Sequence, residues 1–213
     1  MGKDAANYLS NSLLSSPLLS SPLLSSIIRA RNADPMCSFG DFAAISHVVD
    51  VTTANVFKTE VCDGIIAPGY DPEALEILKN KKKGSFIILQ ADESFQAPEE
   101  EFREIFGVTF MQKRNNAVVT PAMLSNNACA EEGEETLLSE SSKRDLVLAS
   151  IAIKYTQSNS VGYAKNGQMI GVGAGQQSRV DCVKLAGRKV ATWYAPLLLI
   201  ALIASIRCCL YTP

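Results

Sequence analysis

The chain has 213 residues, one full domain and a remainder at roughly 100–200 residues per domain. Hydrophobic residues make up 47 % and charged residues 20 %, which excludes an intrinsically disordered chain. With 20 basic against 22 acidic side chains the net charge is −2, which gives no basic footprint for nucleic acid. The single histidine, His47, excludes multi-histidine zinc sites and most catalytic networks built on two imidazoles, and no metal site is expected. Six cysteines, none spaced CxxC, are too sparse for a disulfide scaffold and read as reduced thiols of a cytoplasmic protein.

Taken in chain order, residues 9–29 read LSNSLLSSPLLSSPLLSSIIR, with the unit LLSSP at 13–17 and again at 18–22. A period of five fits neither helix nor strand, and Pro17 and Pro22 interrupt both, so an extended low-complexity segment is expected over 1–29. A Ser-rich targeting peptide is the alternative.

A short apolar run over 64–67 stops at Pro68-Gly69-Tyr70. Asp71 as N-cap, Pro72 at the first helical position and Glu73 in the first turn then open a helix with Ala74, Leu75, Ile77 and Leu78 as its apolar face. Lys79 and the lysines at 81–83 complement its negative C-terminus, and Gly84 ends it. A buried strand over 86–89 completes a βαβ unit with parallel strands. Ligands bind outside the carboxyl ends of such strands, and Gly69 and Asp92 lie just past those ends. Spacing alone leaves Gly69 open to being a plain turn residue and Asp92 to being a cap.

Farther on, a helix is predicted over 98–106, closed by Gly107, followed by a strand over 108–111. The polar run Gln112-Lys113-Arg114-Asn115-Asn116 is either an anion grip or an exposed turn, and 131–135 reads as a solvated acidic loop. Ser142-x-x-Asp145 resembles a capping box that opens a helix over 146–155. Strands over 161–165 and 168–172 flank Asn166-Gly167, a strong hairpin signal. Gly171, Gly173 and Gly175 precede a helix starting near 176–179, where glycines let backbone N–H groups approach a ligand closely. GxGxG after a hairpin strand is not a dinucleotide fingerprint; a polar small-molecule site walled by Asn159 and Arg179 is the reading it supports. No charge appears over 190–206; these seventeen residues sit at the short limit for a membrane span, and a buried helix or a tail outside the domain is the alternative.

Several stretches together resemble one family: SFGDF (38–42), DGIIAPGY (63–70), QKRNN (112–116), KYTQSNSVGYAKNGQMIGVGAGQQSR (154–179) and LAGRKV (185–190). They are similar to the transformylase half of the bifunctional purine biosynthesis proteins, which join an aminoimidazole carboxamide ribonucleotide (AICAR) transformylase to an IMP cyclohydrolase. The resemblance covers 30–193 and leaves 194–213 as an apolar tail outside it. It implies an α/β, cytidine-deaminase-like transformylase fold, incomplete here, an intertwined homodimer, AICAR as substrate and 10-formyltetrahydrofolate as formyl donor. It also implies that Gly69, Asp92, Asn159 and Arg179 contact the ribonucleotide and that Val180 touches the folate.

The family's Lys-His pair, which deprotonates the substrate amine, is not in this sequence; His47 follows SFGDF instead of preceding it, so no catalytic residue is assigned. The expectation is a fragment, without the cyclohydrolase domain and inactive alone. The alternative is a non-catalytic module that pairs with the full-length enzyme or meets a membrane through its tail. Neither nucleic acid nor membrane is an expected partner on the first reading.

Overall fold

A computed structural model describes residues 22–124 and 138–194. Most of the 1–29 repeat, the acidic run 131–135 and the tail from 195 onward lie outside the described residues.

The LLSSP region ends in a helix, α1 (Pro22–Arg31), where an extended chain was expected. Pro22 opens it: a proline at a first helical position gives up an N–H that would have no partner there. Leu24 and Ile27, three apart on one face, are buried, which is the spacing a five-residue period conceals.

A three-stranded parallel sheet follows, β1 (Asp41–Ala44), β2 (Cys62–Ala67) and β3 (Ile87–Gln90), with β2 in the centre. The crossovers are α2 (Val51–Thr59) and α3 (Pro72–Lys79), so the predicted βαβ unit is present and is preceded by a second one. Asp50 caps α2 by accepting from Thr53 N at 2.7 Å. Phe57, Ile65, Leu78 and Val49 are fully buried in the core that joins these elements. Gly64 lets Phe42 lie flat on β2, since a Cβ there would sit 2.1 Å from the Phe42 ring.

The lysine run does not simply extend α3. The helix stops at Lys79, and Lys82 and Lys83 take left-handed backbone angles (φ 49° and 54°). Lys81 is buried, and its ammonium donates to Phe57 O and Glu60 O, carbonyls at the C-terminal end of α2. One lysine of the four thus closes a neighbouring helix, with Phe86 under it as a cation–π partner at 5.0 Å.

The helix predicted over 98–106 is a strand. β4 (Glu100–Ile105) and β5 (Val108–Lys113) form an antiparallel ribbon around Phe106-Gly107, both at positive φ (52° and 77°). Two left-handed residues in a two-residue loop are what a type I′ hairpin turn needs, and six cross-strand pairs outweigh the helix propensity of the glutamates.

The second unit comprises α4 (Glu140–Lys154), the hairpin β6 (Ser160–Lys165) and β7 (Gln168–Ala174), and α5 (Arg179–Trp193). The Asn166-Gly167 turn stands as predicted, with φ of 53° and 71°. The capping box does not: α4 begins earlier, at N-cap Ser139, which accepts from Ser142 N at 3.1 Å. Asp145 instead reaches across to the hairpin turn and accepts from Asn166 N at 2.8 Å and Gly167 N at 2.6 Å. The fold is therefore α/β with one parallel sheet and two antiparallel ribbons.

Helix α1 bridges the two units. Arg31 pairs with Asp41 (2.5 Å) and Glu60 (3.2 Å) on the parallel-sheet side. Arg29 donates to Asn166 O (2.9 Å), and Tyr194 donates to Asn32 O (2.7 Å) on the other. Lys189 pairs with Asp34 at 2.5 Å just beyond the helix. Among the described residues no helix is long and apolar enough to cross a membrane.

Replacing Lys81 by Met leaves two carbonyls beside α2 without their charged donor. Urea unfolding should show a loss of about 1.5–3 kcal/mol, the usual worth of a hydrogen bond to a charged group. Lys82→Met, which removes only an exposed pair with Asp63, should cost no more than about 1 kcal/mol.

Candidate functional site

Parallel pairing of β2 with β3 puts the chain leaving both strands at one edge. Gln90 Nε2 donates to Pro68 O at 3.1 Å across that edge, and Tyr70 OH donates to Leu89 O at 2.7 Å. Burial raises the Tyr70 pKa, so its phenol stays protonated as the donor. Between these loops lies an open cavity of about 540 Å³ lined by Pro68, Gln90, Ala91, Asp92, Glu93 and Ser94.

Asp92 is in this cavity and exposed. Its Oδ1 accepts from Ser94 Oγ at 2.6 Å and Ser94 N at 2.9 Å. The hydroxyl bond first, then the backbone bond, hold its carboxyl below the ordinary aspartate value, so it is an ionised acceptor. The Asp-x-Ser spacing is the signal in the sequence that marks such a turn. Gly69 follows the lining residue Pro68, and its carbonyl accepts from Val49 N at 3.0 Å. Its φ is not in the left-handed range, and an added Cβ would meet Val48 Cγ2 at an ordinary 3.5 Å, so the turn does not itself demand glycine.

His47 is exposed in the loop after β1, with Nδ1 2.9 Å from Ser46 Oγ. Its loop-mates Val48 and Val49 touch Gly69, so the single histidine stands at the same strand-end edge as Gly69 and Asp92. Chain order hid this, because parallel strands bring the ends of β1 and β2 together.

Asn159 and Arg179 lie elsewhere, where α4 runs into β6 and β7 into α5. The Asn159 amide donates both hydrogens, to Gln176 O at 3.1 Å and Gln177 O at 3.2 Å, which fixes the loop before α5. Only its Oδ1 is left to face a ligand, as an acceptor. Ser178 caps α5 by accepting from Asp181 N at 3.1 Å. Arg179 is the first residue of α5 and Val180 the second; both are exposed, and the Arg179 side chain bonds to no other described residue.

The glycines of this stretch serve packing and turning. A Cβ on Gly173 would lie 2.1 Å from Cys182 O, and one on Gly171 2.6 Å from Ala186 O, so both exist to let α5 lie directly on β7. Gly175, at φ 68°, makes the turn between them. Among the described residues no hydrogen bond or ion pair joins the Gly69–Asp92 edge to the Asn159–Arg179 corner, and no group of three or more His, Cys, Asp or Glu could hold a metal ion.

Sequence reasoning did not connect the QKRNN loop with α4. Arg114, Asn115 and Asn116 share a cavity of about 650 Å³ with Glu101, Lys154 and Tyr155, although Lys154 and Tyr155 stand forty residues along in the chain.

Comparison with known proteins gives the family. The family model of the AICARFT/IMPCHase bienzyme matches residues 19–189. The chain is 32 % identical over 165 residues to the bifunctional purine biosynthesis protein PurH of Prochlorococcus marinus, covering 76 % of this chain. It is 34 % identical over 159 residues to PurH of Lactobacillus delbrueckii, covering 74 % of this chain. In each case the chain spans 30 % of the relative's length. By the extent of these matches, the chain belongs to the AICARFT/IMPCHase bienzyme family.

Proposed function

We propose that this chain is a ribonucleotide-binding part of an AICAR transformylase in purine biosynthesis, with 10-formyltetrahydrofolate as formyl donor. The observation that carries the reading is the cavity at the carboxyl edge of the parallel sheet, lined by Asp92 and by Pro68, the residue before Gly69. Family membership is the second support.

On this reading Asp92 accepts from a donor group of the ribonucleotide and Gly69 allows the ligand to approach the backbone. Asn159 Oδ1 accepts a further N–H or O–H, and Arg179 offers its fork of donors to an anionic or carbonyl oxygen. Val180 presents an apolar face beside them for the folate. Formyl transfer also needs a base for the amine and a cation for the oxyanion. Arg179 is the one cation among these five residues and none of the five is assigned as the base, so in this proposal the chain supplies binding groups and a partner polypeptide completes the catalytic set. Separation of the Asn159–Arg179 corner from the Gly69–Asp92 edge supports a homodimer in which a second copy completes the site. A cytidine-deaminase-like fold and a cytoplasmic location belong to the same proposal.

Titration calorimetry of the purified full chain with AICAR tests it. Saturable binding is expected, weakened by about tenfold in Asp92→Asn and in Arg179→Gln, as for loss of a charge-assisted hydrogen bond. Gly69→Ala should lower AICAR affinity while leaving the unfolding midpoint in place, because the fold has room for the methyl. AICAR that does not bind, or binds all variants equally, overturns the reading. Without a partner the chain should show no formyl transfer.

Ser94 controls the ionisation of Asp92. In Ser94→Ala the Asp92 carboxyl should titrate at a higher pH by NMR, since the larger of its two stabilising bonds is gone. AICAR binding that depends on the carboxylate is present above the Asp92 pKa and lost as pH falls through it. The loss should therefore begin at a higher pH in Ser94→Ala than in the parent chain.

A further inference from the structure

The cavity of about 650 Å³ between residues 114–119 and the last turn of α4 sets donor side chains, among them Arg114, Asn115 and Lys154, beside an apolar wall of Val118, Val119 and Ile151. None of Gly69, Asp92, Asn159, Arg179 or Val180 lines it, so it stands apart from the transformylase reading. Arg114 is anchored through Nε to Pro98 O at 3.1 Å, which leaves its terminal nitrogens able to donate. Lys154 gives one of its three hydrogens to Ala117 O at 2.9 Å, a bond that also ties the loop to the helix. Asn115 uses its Oδ1 to accept from Ala117 N at 3.2 Å, so its amide hydrogens remain. Both cations are thus held in place by backbone carbonyls before any ligand arrives.

The opposing group is Glu101. Its carboxylate lies 3.6 Å from an Arg114 terminal nitrogen, a loose contact, and accepts from the Gln112 side chain. Among the described residues that line it, two cations face one carboxylate, which leaves a net positive charge in a partly enclosed space. A phosphate monoester, with about −1.5 to −2 charge and three strong acceptor oxygens at pH 7, meets that demand better than a single carboxylate. Tyr155, 79 % exposed beside Lys154, offers a flat face for whatever carries the phosphate.

We propose that Arg114, Asn115 and Lys154, brought together by the Lys154–Ala117 bond, form a binding site for a phosphate monoester. The polar 112–116 run, open in the sequence between anion grip and exposed turn, becomes a grip because α4 adds the second cation.

Titration of the full chain with inorganic phosphate at constant ionic strength tests this. Saturable binding at millimolar concentration is expected, weakened by about tenfold in Arg114→Gln and in Lys154→Gln. Glu101→Gln should bind severalfold more tightly, because a competing carboxylate is gone; a gain of this kind does not arise from misfolding. Lys58→Gln, which removes an exposed positive charge from α2, should bind as the parent does. Absence of binding, indifference to the Arg114 and Lys154 changes, or weaker binding by Glu101→Gln overturns the proposal. Adenosine 5′-monophosphate and ribose 5-phosphate separate the sources: tighter binding of the former assigns a nucleotide ring to Tyr155, and equal binding assigns a sugar phosphate.

Discussion

Much of this structure rests on two backbones lying closer than side chains ordinarily permit. At Gly171 and Gly173 the strand β7 meets the carbonyls of α5 with no Cβ between them, and any side chain there would overlap Ala186 O or Cys182 O. Small-to-large changes in such contacts typically cost about 1–3 kcal/mol because neither backbone can give way cheaply. The approach fixes the whole length of α5. Its first turn then carries Arg179 and Val180 at the corner beside Asn159, and its far end brings Lys189 and Tyr194 onto the residues after α1. One steric condition thereby sets both a candidate binding corner and the junction of the two units.

The parallel sheet depends on a different device. Its two ends are organised by side chains that satisfy backbone groups: Lys81 where α2 leads into β2, and Tyr70 and Gln90 at the carboxyl edge, on Leu89 O and Pro68 O. Each closes a carbonyl that would otherwise face apolar surroundings or a cavity wall. The cavity at Asp92 is left open with its polar rim already in place, and Ser94 orients the aspartate and favours its ionised form.

Where local rules and tertiary contacts agreed, the sequence was readable. Pro72 after Asp71, Asn166-Gly167 between alternating apolar residues, and strand ends at Gly69 and Asp92 all carry their meaning within a few residues. It was not readable where the deciding partner is distant. Asp145 looks like the end of a capping box, but its partners are the N–H groups of a turn twenty-one and twenty-two residues on. Lys81 looks like one of a solvated run, but its carbonyls lie at Phe57 and Glu60. Over 100–105 helix propensity and hairpin pairing compete, and only the Phe106-Gly107 turn geometry decides between them. Asn159 is marked as a site candidate by the polar run before the hairpin and again by the resemblance, whereas its engagement with Gln176 and Gln177 is invisible to spacing.

The β4–β5 ribbon differs from everything around it. Neither buried cluster includes a residue of it, and Phe102, Phe110 and Met111 are all more than half exposed. A lone two-stranded ribbon is marginal in water, held by its turn and its cross-strand pairs. Its opening therefore exposes almost no new apolar surface and is thermodynamically uncoupled from the melting of either core. The ribbon's sequence answers to solvent and to neighbours outside the fold, so its substitutions fall on a different ledger from those of the interior: they alter what the surface meets while the two cores keep their stability.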